Sequence, residues 1–280
     1  MNADPGAFSS QATGGSLPEH LEVAREAARR GAEVLRRRFG TLDTSHVEEK
    51  GPKDFVTAVD REAEEAVVGF LSRETPGVAV LAEESAGGGG AEGLCWVIDP
   101  LDGTTNYIHA YPFFAVSVAL ARAARPLAGV VLDPLHGEEF TARRGGGAFL
   151  NGNRLRVSRV TALADALVLT GFPFRAVRFL DSYLRSLEAM VRGAAGVRRD
   201  GSAALDLCYV ACGRADAFWE LRLSPWDIAA GSLVVEEAGG SATDFGGGDA
   251  HWRSGDILAS NGALHAELVR LLRGCFPNPL

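Results

Sequence analysis

Three widely separated segments of this sequence present carboxylates close to the end of an apolar run. They are Asp99 and Asp102 after Leu94–Ile98, Asp227 three residues after Ser224, and the pair Glu83–Glu84. A hard divalent cation requires oxygen ligands of this kind, and a phosphate group commonly accompanies such a cation. The pattern therefore predicts a site for metal-dependent phosphate chemistry, assembled from distant parts of the chain.

The residue types around these carboxylates narrow the choice of metal and ligand. Carboxylates without a nearby His or Cys favour Mg²⁺, with Mn²⁺ as the alternative, over zinc. The turn after Asp102 continues as Gly103–Asn106, which supplies backbone N–H groups and hydroxyls that suit a tetrahedral anion. We therefore expect a phosphate beside the metal.

Each segment also has a simpler structural interpretation. Asp-Pro at Asp99 and Asp-Gly at Asp102 are common turn dipeptides. Asp227 completes a helix capping box with Ser224, and paired glutamates such as Glu83–Glu84 usually lie on a solvated surface. The two interpretations of Asp227 are compatible, because a cap fixes the carboxylate that a metal then uses.

The bulk composition is that of a globular protein and argues against several classes of function. The chain has 280 residues, of which 46% are hydrophobic and 23% charged, with a net charge of −8. This acidic balance argues against general binding to nucleic-acid backbones, so no direct nucleic-acid binding is expected. The sequence contains no phosphate-binding loop of the ATPase type, no Gly-x-Ser-x-Gly motif and no zinc-ligand spacing.

The cysteines and the N-terminal residues favour a cytoplasmic protein. Cys95, Cys208, Cys212 and Cys275 show no metal-ligand spacing, and we expect them to be reduced thiols. Residues 1–15 are polar and small, which predicts a disordered tail without the features of a secretory signal. No apolar run approaches the roughly 20 residues of a membrane span, so no membrane association is expected.

Apolar periodicity divides a single domain, 16–280, into two halves. The first half, 16–160, begins with helices at 16–39 and 60–75 and continues as an antiparallel meander whose last strand is Leu155–Val157. The second half, 161–280, alternates strands and helices, which predicts a sheet covered by helices. We expect the halves to share an interface and the site to lie there.

At its carboxylate segments the sequence resembles the bacterial branch of the inositol monophosphatase family. The members of this family belong to the lithium-sensitive, metal-dependent sugar phosphatases. The matching motifs lie between about Asp54 and Asn261 and are Phe55–Asp60, Ala82–Ser85, Asp99–Asn106, Gly171–Phe174, Asp200–Leu205 and Trp226–Gly231. The resemblance implies an α+β fold, a five-layer αβαβα sandwich of two sheets and helix pairs. It also implies a homodimer.

The same resemblance implies roles for individual residues. The implied metal ligands are the side chains of Glu83, Asp99, Asp102 and Asp227 and the carbonyl of Leu101. The implied catalytic residues are Thr104, Asp60 and Glu83. Of these, Thr104 and Asp60 are the pair that orients the nucleophilic water. The implied substrate contacts are the Gly103 and Thr104 amides for phosphate, and Asp102, Ser202, Ala203, Glu220 and Asp227. Glu84 matches a supporting position, and Lys50 lies near a mobile-loop lysine of the family.

The implied activity is Mg²⁺-dependent hydrolysis of myo-inositol monophosphates and related polyol phosphates by in-line attack of a metal-bound water. The same chemistry on fructose 1,6-bisphosphate, histidinol phosphate or a 3′-phosphoadenosine nucleotide stays open. So does a transcription-associated role as a partner of RNA polymerase, which the bacterial branch suggests. A degenerate binding protein is a third alternative, and the complete set of ligands argues against it.

Overall fold

The computed structural model describes residues 15–41, 48–51, 54–85, 93–174 and 176–276. The predicted tail lies outside these ranges except for Gly15, as does the Lys50 side chain. The helices are α1 Leu17–Arg38, α2 Ala58–Glu74, α3 Thr104–Ile108, α4 Leu180–Gly193, α5 Ala203–Ala211, α6 Pro225–Glu237, α7 His251–Ser254 and α8 His265–Cys275. Within the described ranges, no helix combines the length and the apolar character that crossing a lipid bilayer requires.

The strands form a two-stranded ribbon and two larger mixed sheets. The ribbon pairs β1 Glu48–Gly51 with β2 Asp54–Val56. The large sheet contains, in spatial order, β3 Ala79–Ala82, β4 Leu94–Asp102, β5 Ala115–Arg122, β6 Arg125–Asp133, β7 Glu138–Arg143, β8 Gly147–Leu150 and β9 Asn153–Arg154. The small sheet contains, in spatial order, β11 Gly196–Arg198, β10 Leu167–Thr170, β12 Ala217–Glu220, β14 Ile257–Ser260 and β13 Ser241–Thr243.

The elements stack in five layers, as predicted. Helices α1 and α2 pack on one face of the large sheet, and α5 and α6 lie between its other face and the small sheet. Helices α4 and α8 cover the outer face of the small sheet. The order helix pair, sheet, helix pair, sheet, helix pair confirms the αβαβα sandwich. The strands β4–β9 form the predicted antiparallel meander, with β3 added in parallel at the edge.

Capping boxes begin the first two helices. The Ser16 N–H donates to Glu19 Oε2 at 2.7 Å, and Thr57 and Asp60 form the corresponding box at α2. Side-chain caps satisfy backbone N–H groups that have no partner inside the helix. The second box places the carboxylate of Asp60 at the buried start of α2, where it faces the end of β4.

Close packing of small residues brings α6 against both of its neighbours. A Cβ added at Gly231 would lie 2.7 Å from side-chain atoms of Leu207 on α5, and one added at Gly129 would lie 3.0 Å from Cα of Ala230. Larger residues would separate these layers. The start of α6, which carries Asp227, is therefore held close to the large sheet.

The structure corrects some of the predicted strands. Leu155–Val157 does not form a strand, because the hairpin at Asn151–Gly152 closes with β9 at Asn153–Arg154 and the chain then leaves the sheet. Leu155 is apolar because it is buried in the core between the sheets. The short elements α3, α7 and β13 were not predicted, since each has too few residues to show a period.

Candidate active site

The end of β4 presents two of the predicted carboxylates. The strand continues past Ile98 to Asp102, with an irregular register between Asp99 and Asp102 against β5. Asp99 is 1% exposed, and its Oδ1 accepts a hydrogen bond from the Leu101 N–H at 2.9 Å. The irregularity lets both carboxylates serve one site, whereas regular alternation would place residues three apart on opposite faces of a strand.

The start of α5 holds the carboxylate of Asp102. Its Oδ2 accepts from the Ser202 hydroxyl at 2.6 Å and from the Ala204 N–H at 2.7 Å. Ser202 also caps α5 through the Leu205 N–H. The Ser202 hydroxyl therefore positions Asp102 in this structure, and its contact with substrate hydroxyls stays a prediction.

The start of α6 holds the third carboxylate. Ser224 and Asp227 form the predicted capping box, in which the Ser224 N–H donates to Asp227 Oδ2 at 2.6 Å. Pro225 occupies the first turn of the helix, as expected for a residue without an N–H. The cap fixes the direction of the Asp227 carboxylate, which is buried beside the end of β4.

Asp99, Asp102 and Asp227 meet in one buried cluster. Each offers a carboxylate oxygen, and these oxygens all lie within 4.8 Å of one another. Burial and the neighbouring charges of Glu83, Asp102 and Asp227 raise the pKa of Asp99 well above its ordinary value. Burial and the charge of Asp227 raise the pKa of Asp102 to about 7. Glu83 follows β3, is half-buried, and lies close enough to influence Asp99.

The donor set of this cluster fits a hard divalent cation. Its side-chain donors are all carboxylate oxygens, which Mg²⁺ and Mn²⁺ prefer and which zinc uses less often than nitrogen or sulfur. Buried carboxylates that repel one another are stable in the charged form only beside a positive charge. A cation bound between Asp99, Asp102 and Asp227 would supply that charge.

A hydroxyl–carboxylate pair lies beside the cluster. Thr104 Oγ1 is 3.2 Å from Asp60 Oδ1 and 3.1 Å from the Leu101 carbonyl oxygen. Asp60 is fully buried, and its Oδ2 accepts from the Thr57 N–H at 2.8 Å and from the Thr57 hydroxyl at 2.5 Å. Burial raises the pKa of Asp60, while these hydrogen bonds act against the rise.

Two glycines let the chain pass closely around the site. Gly103 begins α3 with φ +101°, and an added Cβ would lie 3.1 Å from the Phe113 carbonyl oxygen. Gly103, Thr104 and Thr105 line the cleft, and the first amides of a helix have no acceptor inside it. A Cβ at Gly171 would lie 1.9 Å from the Glu220 carboxyl carbon, so any larger residue there would displace the Glu220 carboxylate.

The predicted residues line one cleft that is open to solvent. Its lining residues come from both 16–160 and 161–280. Its walls include Glu83, Asp99, Leu101, Asp102, Gly103, Thr104, Ala203, Glu220 and Asp227. Asp60 and Ser202 lie behind this wall. Asp60 is hydrogen-bonded to Thr104 and Ser202 to Asp102, and these two partners line the cleft.

Sequence reasoning missed several residues of the cleft and its support. The buried Glu64 of α2 accepts from the Glu84 N–H at 2.8 Å and so positions the turn that carries Glu83. The sequence does contain a signal for Glu64. It is an acidic residue seven positions before the apolar Leu71, so both lie on the same, buried face of α2. Phe172, Arg199 and Arg222 also line the cleft, and they belong to no acidic motif.

The raised pKa values predict how pH affects the metal-free protein. The unfolded pKa of an Asp is about 4. Because the folded pKa of Asp102 is about 7 and that of Asp99 is also raised, the folded state binds more protons than the unfolded state between these values. The free energy of unfolding therefore falls as pH rises through this window. We expect the melting temperature of EDTA-treated protein to decrease from pH 5 to pH 8, and the increase on adding Mg²⁺ to grow over the same range.

The variant Asp99→Asn is the control for this pH profile. It removes one of the repelling groups, so the melting temperature of the metal-free variant should depend less on pH than that of the parent. Equal slopes for the two proteins would show that the cluster does not govern the pH dependence.

One known protein family matches nearly the whole chain. The model of the inositol monophosphatase family matches residues 16–275. The chain belongs to the inositol monophosphatase family. It is therefore a phosphatase by family, and its oxygen-rich cluster agrees with the use of a divalent metal in that family.

Individual members of the inositol monophosphatase family are similar over nearly their whole length. The chain is 48% identical to Nus factor SuhB of Pseudomonas aeruginosa over 93% of this chain and 98% of that protein. It is 42% identical to an inositol-1-monophosphatase of Mesorhizobium japonicum over 90% and 96% of the two chains. The solved structure of a Thermotoga maritima IMPase superposes with a TM-score of 0.84 at 36% identity, covering 92% of this chain and 98% of that one.

Proposed function

We propose that this protein is a Mg²⁺-dependent phosphomonoesterase that hydrolyses myo-inositol monophosphates and related polyol phosphates. The observation that carries the proposal is the buried cluster of Asp99, Asp102 and Asp227 beside the Thr104–Asp60 pair. The cluster offers a place for the metal, and the pair offers a way to orient water. Both face one cleft at the junction of the two halves.

The proposed ligands of the metal are Asp99, Asp102, Asp227 and Glu83, with the Leu101 carbonyl. A bound Mg²⁺ supplies Lewis acidity toward the phosphate and lowers the pKa of water. The hydrogen bonds from Leu101 N–H, Ser202 Oγ and Ala204 N–H orient the two carboxylates of β4 before any ion binds. Preorganised ligands of this kind bind with less cost in conformational entropy.

The proposed role of Thr104 and Asp60 is to orient the attacking water. The Thr104 hydroxyl has one hydrogen, and when Asp60 Oδ1 accepts it the Thr104 oxygen is left as an acceptor for water. Thr57 holds the Asp60 carboxylate from the other side. The water oxygen would form a bond to phosphorus as the ester P–O bond breaks, and the water's proton would pass through the Thr104 hydroxyl to Asp60. The leaving alkoxide would take its proton from solvent water, which reaches it because the cleft is open.

The proposed substrate contacts divide by chemistry. The first amides of α3, at Gly103 and Thr104, suit the oxygens of the phosphate group. The Glu220 carboxylate and the Ala203 backbone, both on the cleft wall, suit the hydroxyls of a polyol. Ser202 positions Asp102, and its hydroxyl is also proposed to contact substrate hydroxyls.

A substrate panel with released phosphate as the readout tests the proposal. The panel contains myo-inositol 1-phosphate, fructose 1,6-bisphosphate, histidinol phosphate and a 3′-phosphoadenosine nucleotide, each with Mg²⁺, with Mn²⁺ and with EDTA. We expect the highest kcat/KM on myo-inositol 1-phosphate, inhibition by Li⁺ and no release in EDTA. Turnover that persists in EDTA, or no release from any compound, would refute the proposal.

A second candidate function is association with the transcription apparatus as a partner of RNA polymerase. It is favoured by the 48% identity with a protein named Nus factor SuhB. Capture of purified RNA polymerase on immobilised protein tests it, with wild type and Asp99→Asn compared. Equal capture by both would support a binding role that is independent of catalysis, and no capture by either would remove this candidate.

We further propose a cytoplasmic homodimer. Large apolar side chains recur on and just before α4 at helical spacing and are exposed, at Val177, Leu180, Leu184 and Val191. A row of this kind is typical of a surface that a second protein covers. The cysteines of the described ranges are all free, which agrees with a reducing compartment. Light scattering coupled to size exclusion should give twice the chain mass of 29.5 kDa.

A further inference from the structure

We infer that Asp256 is a positioning residue of the site, because it fixes the turn that joins Glu220 to Asp227. This inference rests on the proposed function, in which Glu220 contacts the polyol hydroxyls and Asp227 binds the metal. Asp256 itself does not line the cleft and belongs to no motif of the sequence. It would act on both partners through the conformation of the chain between them.

The turn 221–224 connects two layers of the fold. Glu220 ends β12 in the small sheet, whereas Asp227 lies in the first turn of α6, which packs against the large sheet. Residues 221–223 also line the cleft. The shape of this turn therefore sets where the proposed polyol contact lies relative to the proposed metal ligand.

The segment just before β14 holds the turn in place. Strands β12 and β14 pair in antiparallel fashion, and their ladder ends at Glu220. Beyond the ladder, the Leu223 N–H donates to the Gly255 carbonyl at 2.9 Å. The Arg222 N–H donates to Asp256 Oδ1 at 3.0 Å. The Asp256 side chain thus supplies an acceptor to a backbone amide at the point where the strand partner no longer does.

The turn adopts a conformation that needs this support. Arg222 has φ +58°, in the left-handed region that residues with a side chain seldom adopt. Gly255 has φ +73°, and an added Cβ would lie 2.0 Å from the Leu223 carbonyl oxygen. Strained backbone of this kind persists where its surroundings fix it. Without the Asp256 acceptor, Arg222 would be able to relax toward negative φ, and the turn would shift.

Stability alone does not explain why a carboxylate is buried at position 256. Asp256 is 2% exposed, and its Oδ2 has no hydrogen-bond partner among the residues that the structure describes. Its Oδ1 lies 3.7 Å from Arg222 Nε, which is beyond hydrogen-bond distance. A buried carboxylate oxygen without a partner costs stability. Removal of this carboxylate should therefore change the melting temperature little, because the lost hydrogen bond is offset by the lost burial cost.

The variant Asp256→Ala tests the positioning role. We would measure kcat/KM with Mg²⁺ for myo-inositol 1-phosphate and for p-nitrophenyl phosphate, which carries no polyol hydroxyl. The informative quantity is the ratio of the first value to the second. We expect Asp256→Ala to lower this ratio by about tenfold, as for the loss of one hydrogen bond between Glu220 and the substrate. The Mg²⁺ concentration for half-maximal rate should rise about threefold, less than for a direct partner of a metal ligand.

Asp256→Asn is the conservative variant, because an Asn oxygen can accept from the Arg222 N–H. Its ratio and its Mg²⁺ requirement should stay within about twofold of wild type. Asp256→Ser is a second loss variant, since its hydroxyl oxygen ends one bond short of the position of Asp Oδ1. It should resemble Asp256→Ala. If neither loss variant folds, Asp256 is a residue of stability and the inference is overturned.

Asp216→Ala is the matched control. Asp216 is also buried, immediately precedes the other end of β12, and accepts from the Leu167 N–H at 2.7 Å. It does not line the cleft. Its replacement should lower the melting temperature without changing the ratio or the Mg²⁺ requirement. A role of Asp256 in stability alone would give the same pattern in Asp256→Ala.

The outcomes separate the positioning role from the proposed function. A fall in the ratio that Asp256→Asn restores and Asp216→Ala does not share supports the role of Asp256. Any other pattern overturns that role and leaves the phosphatase proposal standing. If wild type releases no phosphate from myo-inositol 1-phosphate, the proposed function fails, and calorimetric titration with Mn²⁺ decides instead. Weaker Mn²⁺ binding in Asp256→Ala, with wild-type binding in Asp256→Asn and Asp216→Ala, supports the role, and any other result overturns it.

Discussion

Replacement of Asp99 by Asn is expected to reduce Mg²⁺-dependent phosphate release by more than about a hundredfold, since the loss of even an indirect metal contact typically costs tenfold to a hundredfold. The variant should still fold. The Leu101 N–H that donates to Asp99 Oδ1 can donate equally to an Asn oxygen, and one charge is removed from a repelling cluster. Phosphate release and metal-binding calorimetry, measured on the same preparation, would show both effects.

Asp133→Asn is the control for this experiment. Asp133 is also 1% exposed and also ends a strand of the large sheet, but its carboxylate accepts from the Leu135 and His136 N–H groups, away from the cleft. Its activity should match that of wild type. In the absence of metal, Asp99→Asn should melt no lower than wild type, and it should lose most of the increase on adding Mg²⁺. Undiminished turnover in Asp99→Asn would remove this residue from the proposed mechanism.

Replacement of Thr104 by Ala is expected to lower kcat by about a hundredfold or more, within the range for groups that position proton transfer, while KM changes by about threefold or less. The physical reason is the 3.2 Å contact between Thr104 Oγ1 and Asp60 Oδ1, which in the proposed mechanism would orient the attacking water and would not hold the polyol. Steady-state kinetics on myo-inositol 1-phosphate, at saturating Mg²⁺, would separate the two parameters.

Thr104→Ser keeps the hydroxyl and removes only a methyl group, so it should retain most of the activity. Rescue by Ser with loss in Ala assigns the effect to the hydroxyl. If Thr104→Ala changed KM alone, or if Ser were as inactive as Ala, the residue would act through binding or packing instead.

The sequence predicted the parts of this fold that local chemistry determines. The capping boxes at Ser16 and Ser224 follow from residues three positions apart, and each begins a helix in the structure. The buried strand Leu94–Ile98 follows from an uninterrupted apolar run. The convergence of Asp99, Asp102 and Asp227 was predicted because a hard divalent cation requires several oxygen ligands. The prediction did not depend on their separation in sequence, which is 128 positions between Asp99 and Asp227.

Other features depend on contacts that no local pattern encodes. The irregular register of β4 beyond Ile98 arises from pairing with β5. Glu64 contacts the Glu84 N–H from another element, and the hydroxyl of Ser202 contacts Asp102 from one hundred positions away. Arg222 lines the cleft, although it belongs to no motif of the sequence. Supporting residues and residues of the cleft wall are therefore the part of such a site that sequence patterns miss.

The proposed mechanism requires that Asp99, Asp102, Asp227 and Glu83 hold a divalent cation in one cleft. A crystal structure of the protein soaked with Mn²⁺, recorded at a wavelength where manganese scatters anomalously, tests it directly. We expect an anomalous peak among these carboxylates, at roughly 2.0–2.3 Å from their oxygens. The peak should disappear from Asp99→Asn crystals prepared in the same way. If crystals under saturating Mn²⁺ bind the ion elsewhere and show no peak at this position, these four residues are not the metal site.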